Sequence, residues 1–219
     1  MDKIKALIFD MDGLIIDSER IVQRAWDLAG PHVGIENMGE YIYPALGMNR
    51  KRREQYFRDT FGKDFQIDKF QEMNKKYFYE IVDNEGIALK PGVKELMEDA
   101  KRRGLKIGLA TSSSQEYARG ILNKVDVWKY FDGGVFGDQV TKAKPDPEIY
   151  LLACGKVGVT PNEALALEDA PAGIRSASSA GMRVIMVPDL VQPDEAIQKL
   201  YYKKVETLHE VLPLLDELV

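Results

Sequence analysis

Five short runs of almost purely apolar residues constrain this chain more than anything else in it. They are Ala6-Leu7-Ile8-Phe9, Ile107-Gly108-Leu109-Ala110, Gly134-Val135-Phe136, Ala164-Leu165-Ala166-Leu167 and Val184-Ile185-Met186-Val187. Runs this short with no polar face read as strands buried on both sides, the situation of a parallel sheet covered by helices. Helical patterns lie between them. Val93, Leu96, Met97 and Ala100 fall at i, i+3, i+4 and i+7, with Pro91 near the start and Gly104 beyond the end. A last helix carries Leu208, Val211, Leu212, Leu215 and Leu218 on one face, and Thr207 with Glu210 forms a capping-box pattern at its start. From Lys90 onward strand and helix alternate, which predicts a doubly wound, mostly parallel α/β core of Rossmann-like kind. In such sheets ligands belong in the crevice beyond the carboxyl ends of the strands.

The segment after the first strand breaks this rhythm. Ile21, Ala25 and Leu28 keep helical spacing, Tyr56, Phe57, Thr60 and Phe61 follow a basic start, and Phe70, Met73, Tyr77, Phe78 and Ile81 make another amphipathic face. Gly30-Pro31, Gly34 and Gly62 punctuate these stretches. The expected organisation is an α/β core from residues 1–16 and 88–219, with an inserted helical cap over residues 17–87. A chain of 219 residues is long enough to bury a core of that size.

Charge and cysteine usage narrow the function classes. Thirty basic residues against 35 acidic ones leave a net charge of -5, which argues against a nucleic-acid partner, since such binding is driven by neutralising phosphates with Lys and Arg. Cys154 is the one cysteine, so no internal disulfide forms, and its apolar neighbours Ile149, Leu152, Ala153 and Val157 suit a core position. The first residues, MDKIKALIFDMDG, fit neither a signal peptide nor a membrane span. The expectation is a cytoplasmic monomer with no membrane partner.

Chemistry-bearing residues stand at the ends of the apolar runs. Asp10-Met11-Asp12-Gly13 follows the first, with two carboxylates two positions apart and so starting on one face of extended chain. That string alone also fits a turn. A calcium loop of the EF-hand type needs further ligands and a Glu at its twelfth position, which the chain does not supply. Thr111 follows the second run, Lys144 precedes Pro145-Asp146-Pro147 after the third, and Glu168-Asp169 follows the fourth. Taken singly, Lys144 reads as a surface lysine and Thr111 or Glu168-Asp169 as helix caps. Four such groups in order after successive strands make that bland reading poor.

Together FDMDG, LATSS, KPDP and LEDAPAG resemble the four motifs of the haloacid dehalogenase-like superfamily, in the branch of β-phosphoglucomutase and many sugar-phosphate phosphatases. The resemblance covers the whole chain and includes the FGDQV segment at Phe136 to Val140. It implies a phosphoric monoester hydrolase acting on a small phosphorylated substrate, with Asp10 as nucleophile and an aspartyl-phosphate intermediate. Asp12 is implied as general acid and base. Magnesium is the implied cofactor, held by Asp10, Asp12 through its backbone carbonyl, Glu168 and Asp169, because clustered carboxylates and a phosphate dianion repel without a hard cation. Lys144 and Thr111 complete the implied catalytic set. Ser112, Ser113 and Arg50 join them as implied substrate contacts, with Ser114 a further candidate for the phosphate.

The cap is expected to close over the crevice on hinges near Ile16-Asp17 and Ile87-Lys90 and to choose the substrate. Arg50, Tyr41, Tyr43 and Trp26 are the cap side chains expected at the pocket, while three of Arg50, Lys51, Arg52 and Arg53 are expected on a solvated helix face. The mutase pattern places a histidine where this chain has Val22, which favours net hydrolysis over a phosphomutase. Lys51 lacks the hydrophobic setting a Schiff-base lysine of a phosphonate hydrolase needs. A noncatalytic binding module would leave no reason to retain Asp10, Asp12, Lys144 and Glu168-Asp169 together. His32 and His209 have no evident role.

Overall fold

The computed structural model describes residues 3–46, 48 and 50–219. Six strands build one sheet: β1 (Ala6–Phe9), β2 (Lys106–Thr111), β3 (Gly133–Phe136), β4 (Ala164–Glu168), β5 (Arg183–Met186) and β6 (Lys203–Lys204). Their spatial order is β3-β2-β1-β4-β5-β6, and every neighbouring pair runs parallel. The chain turns from one half of the sheet to the other between β1 and β4, so a crevice opens at the carboxyl ends of those two strands. Phe9 lies level with Leu109 and Leu167 across the ladder, which puts Asp10, Ala110 and Glu168 on one line just beyond it.

Burial on both faces explains the all-apolar strands. Leu7, Phe9, Ile107, Leu109, Leu165, Leu167 and Ile185 point to one side, under α4 (Val93–Arg102), α5 (Gln115–Lys124) and α9 (Leu212–Leu218). Ala6, Ile8, Ala110, Ala164, Ala166, Val184 and Met186 point to the other, under α6 (Glu148–Val157), α7 (Pro171–Ser179) and α8 (Glu195–Gln198). The strand period of two thus feeds two cores, and each leucine so buried contributes about 2 kcal/mol. The doubly wound expectation holds.

Local differences have local reasons. β6 is only two lysines long at the sheet edge, where no apolar run announces it. In α6 the buried set is Ile149, Tyr150, Ala153, Cys154 and Val157, so Cys154 is core as expected, but Leu152 is exposed and Tyr150 takes the inward position. The expected last helix begins as a 3-10 turn, Leu208–Val211, whose capping box of Thr207 and Glu210 forms as read.

Between β1 and β2 lie α1 (Ser18–Ala29), α2 (Arg50–Phe61) and α3 (Ile67–Glu85), with 3-10 stretches at Gly30–Val33 and Met38–Ala45. Trp26, Phe57, Phe65 and Phe70 centre a separate apolar cluster there, with edge-on contacts of Trp26 to Phe57 and Phe70 at 5.1 and 5.6 Å between ring centres. Leu28, expected inward, is exposed, because Trp26 and Ala29 occupy the inner face of α1. The opposite ends of α1 and α3 contribute Ile21, Ala25, Phe78, Ile81 and Val82 to the sheet's own core.

The two chain crossings between sheet and helices lie side by side. Asp17 N donates to Ala88 O at 3.0 Å and Lys90 N to Ile15 O at 2.9 Å. Asp189, in the loop after β5, accepts from Lys90 Nζ at 2.8 Å and from Arg20 Nη1 at 3.0 Å, and Arg20 also bonds Asp17. This ionic clasp ties both crossings to the core. No helix among the described residues is long and apolar enough to cross a membrane.

Candidate active site

Each strand that ends at the crevice delivers one group to it. Asp10 follows β1, with its N–H held by Leu167 O at 3.0 Å, Thr111 ends β2, and Glu168 ends β4 with Asp169 next to it. Lys144 comes from the loop between β3 and α6. Asp10, Thr111, Lys144, Glu168 and Asp169 are all buried polar residues, and they line one small cavity of about 40 Å³ together with Asp12, Glu19 and Ser112.

Lys144 is the hub. Its Nζ lies 2.6 Å from both Asp10 Oδ1 and Glu168 Oε1, and 3.0 Å from Ala110 O. The Tyr150 hydroxyl donates to Glu168 Oε1 at 2.8 Å, and Glu168 Oε2 accepts the N–H groups of Asp169 and Ala170 at 3.1 Å each. Burial alone would lower the Lys144 ammonium, but the charges of Asp10 and Glu168 outweigh it and hold the group above its ordinary value. Gly173 is required by this packing, since a Cβ there would sit 1.6 Å from Glu168 Oε1.

The carboxylates are crowded. Burial first, then the negative charges of Glu168 and Asp12, pushes Asp10 up to about 7 despite Lys144. Asp169 is raised by burial, then by Glu168 and Asp10. Asp10, Glu168 and Asp169 each bring a carboxylate oxygen within 4.8 Å of the others, and Asp169 Oδ1 is buried with no hydrogen-bond partner. An all-oxygen donor set with an orphaned buried carboxylate oxygen fits a hard divalent cation such as Mg²⁺. The side chain of Asp12 lies outside that set. Gly13, at φ +82°, lets the chain turn past it, and a Cβ there would meet Asp169 Oδ2 at 2.4 Å.

Asp12 is instead held by three hydroxyls. Ser18 Oγ donates to its Oδ1 at 2.8 Å, Ser113 Oγ to its Oδ2 at 2.7 Å, and Tyr117 OH to Oδ1 at 3.3 Å. Burial raises this carboxyl, and those three bonds restrain the rise. Ser113 therefore serves Asp12, while Ser112 lines the small cavity beside Thr111. Thr111 Oγ1 accepts the Ser113 N–H at 3.1 Å, and Ser114 caps α5 by accepting from Tyr117 N.

A larger cavity of about 460 Å³ adjoins the first, between the helical insert and the strand ends. Trp26 and Arg50 line it as expected. Tyr41 packs on Phe61 and Tyr43 is exposed, so neither of those two lines it. Arg50 is exposed and paired with Glu54 at 2.7 Å. Lys51 and Arg52 are exposed as expected of a solvated face, with Arg52 reaching Lys144 O at 3.2 Å. Arg53, however, is half-buried in the cavity wall. Glu19 lines both cavities and is pushed up to about 8 by burial, then by the charges of Asp12 and Asp189, with Arg53 opposing. Tyr150, Glu19, Arg53 and Asn74 escaped the sequence reading. Tyr150 sits in an apolar helical stripe and Arg53 in a charge run, so only the packing distinguishes them.

With this geometry in place, comparison with known proteins decides the lineage. The model of the haloacid dehalogenase-like hydrolases matches residues 4–181. The chain belongs to the haloacid dehalogenase-like hydrolase family. It is 33% identical to the phosphorylated carbohydrates phosphatase of Thermotoga maritima, over 83% of this chain and 84% of that one. It is also 33% identical to hexitol phosphatase B of Escherichia coli, over 85% and 84% of the two chains. Among solved structures, CbbY of Rhodobacter sphaeroides in complex with xylulose-(1,5)bisphosphate superposes with a TM-score of 0.81 at 27% identity, covering 94% of this chain and 96% of the other. The haloacid dehalogenase-like resemblance read from the four motifs is thereby borne out.

Proposed function

We propose that this protein is a magnesium-dependent phosphatase of small phosphorylated metabolites, sugar phosphates foremost, working through an aspartyl-phosphate on Asp10. The observation that carries this reading is the convergence of Asp10, Asp12, Thr111, Lys144, Glu168 and Asp169 on one cavity at the strand ends. The names of the two curated relatives, phosphatases of carbohydrates and hexitols, support the substrate class.

Asp10, Glu168 and Asp169, with the Asp12 backbone carbonyl, would hold Mg²⁺. When bound, the ion supplies positive charge that offsets the carboxylates and the phosphoryl oxygens. Thr111 and Ser112 face the same cavity and orient the phosphoryl group by hydrogen bonds. Lys144 fixes the Asp10 carboxylate and adds a positive charge beside the incoming phosphate. A carboxylate oxygen of Asp10 forms a bond to phosphorus, and the electron pair of the breaking ester bond leaves with the alcohol oxygen. That oxygen takes the proton of Asp12, whose carboxyl burial raises above the usual carboxylate range. Asp12 then takes a proton from water as the water oxygen attacks phosphorus, which frees Asp10 and inorganic phosphate.

The helical insert, residues 17–87, acts as the cap that encloses the leaving group and excludes water, hinged at the paired crossings. Val22 lines the larger cavity where the mutases of this branch carry a histidine, which favours hydrolysis over phosphoryl return. The test is a magnesium-dependent phosphate-release screen over a metabolite panel that includes β-glucose 1-phosphate, with Asp10→Asn as control. Free phosphate, abolished by Asp10→Asn, is the expected result. Glucose 6-phosphate as product from β-glucose 1-phosphate would make it a mutase, and no turnover on the whole panel would leave a phosphate-binding module.

A further inference from the structure

The two carboxylate oxygens of Asp12 are occupied unequally. Oδ1 accepts from Ser18 Oγ, at the start of α1, and from Tyr117 OH, on α5, whereas Oδ2 accepts from Ser113 Oγ alone. A carboxylate offers about four lone-pair sites, shared equally by its oxygens. Both sites of Oδ1 are therefore filled, and the one still open belongs to Oδ2. Neither the Ser18 nor the Tyr117 hydroxyl has another acceptor among the described residues. A proton on Oδ1 would force one of those hydroxyls to turn away and leave its own hydrogen unpaired, which is unfavourable where water is scarce.

Within this cage the hydroxyl of Tyr117 has no other partner. Its ring packs on Phe78 of α3 at 5.6 Å between ring centres, a contact that a phenylalanine would keep. What the tyrosine adds is the hydroxyl, 3.3 Å from Oδ1 in the wall of the larger cavity. With Ser18 alone, Oδ1 would have an open site, and the carboxyl proton would divide between the two oxygens.

We infer that Tyr117 is a positioning residue that, with Ser18, keeps the transferable proton of Asp12 on Oδ2. This rests on the phosphatase reading above and assigns its acid step to one atom. As Asp10 bonds to phosphorus and the ester bond breaks, the leaving oxygen keeps the electron pair and takes the hydrogen from Oδ2. Oδ2 later recovers a hydrogen from the attacking water. A misplaced proton slows only those leaving groups that need one.

The test compares the sugar phosphate turned over fastest on the panel, whose alkoxide must be protonated as it leaves, with acetyl phosphate and p-nitrophenyl phosphate, whose leaving groups depart as stable anions. In kcat/KM, Tyr117→Phe should lower the sugar ester by about tenfold and change the two activated esters by less than about twofold. Ser18→Ala, which empties the other site of Oδ1, should give the same split, and it decides the matter if Tyr117→Phe has no cooperative melting transition. Variants that slow all three esters in the same proportion, or none of them, would overturn the inference and leave the phosphatase reading standing. A wild-type enzyme that releases phosphate from nothing on the panel and from neither activated ester would sink that reading, and this inference with it.

Discussion

The crowding of carboxylates around Lys144 makes the substitution Asp10→Asn stabilising when no metal is bound. The amide keeps an oxygen to accept from Lys144 but removes one charge from beside Glu168 and Asp12. In the folded chain Asp10 is raised from 3.8 to about 7. At about 1.4 kcal/mol for each tenfold change in proton affinity, that is a burden of at most about 4 kcal/mol. The sign follows from proton counting. Well below its unfolded value of 3.8 Asp10 is protonated in both states and costs nothing. As pH rises toward 7 the unfolded chain releases the proton first, so wild-type stability falls and levels off above the folded pKa. Urea unfolding in EDTA should therefore show Asp10→Asn more stable than wild type near pH 8, by about 1 to 4 kcal/mol, with the gain nearly gone at about pH 3. Magnesium should reverse the order, since it stabilises wild type by about 2.7 kcal/mol at a hundred times its dissociation constant and the variant by less. A variant no more stable than wild type near pH 8, or a gain of equal size at both pH values, would refute the account of the cluster.

Two further perturbations probe the scaffold of the site. Gly173→Ala places a methyl where Glu168 Oε1 lies, 1.6 Å from the ideal Cβ, so the Glu168–Lys144 contact must break. Turnover should drop by about a hundredfold, measured as phosphate release beside a melting curve that confirms folding. Asp189→Asn removes the shared anion of the Arg20 and Lys90 pairs, and with Lys90 only 20% exposed it should cost about 1 to 3 kcal/mol in urea unfolding. A loss under a few tenths of a kcal/mol would show that the clasp is ornamental.

Most of the sheet and the inner cavity were legible because each reactive group directly follows an apolar run, so the strand that buries one also aims the other. Asp10, Thr111 and Glu168 illustrate this, and Lys144 joins them from a loop marked by two prolines. What stayed hidden depends on contacts between distant segments. Tyr150 differs from its apolar helix neighbours only by a hydroxyl, whose purpose emerges when Glu168 from β4 arrives 2.8 Å away. Arg53 stands in a run of basic residues with nothing to separate it from Lys51 until α2 is set against the strand ends. Trp26 outcompetes Leu28 for the inner face of α1 because the aromatic cluster of α2 and α3 has room for an indole there. Periodicity supplies the existence of a helix, whereas its rotation is settled by its neighbours.

The Trp26, Phe57 and Phe70 cluster stands apart from the two cores of the sheet, with half-buried residues such as Val22 and Tyr77 touching both it and the sheet's core. Repacking at that far end disturbs few atoms that steady Asp10 and Lys144. A lineage built this way is free to re-tailor which molecules it admits while the groups at the strand ends stay untouched.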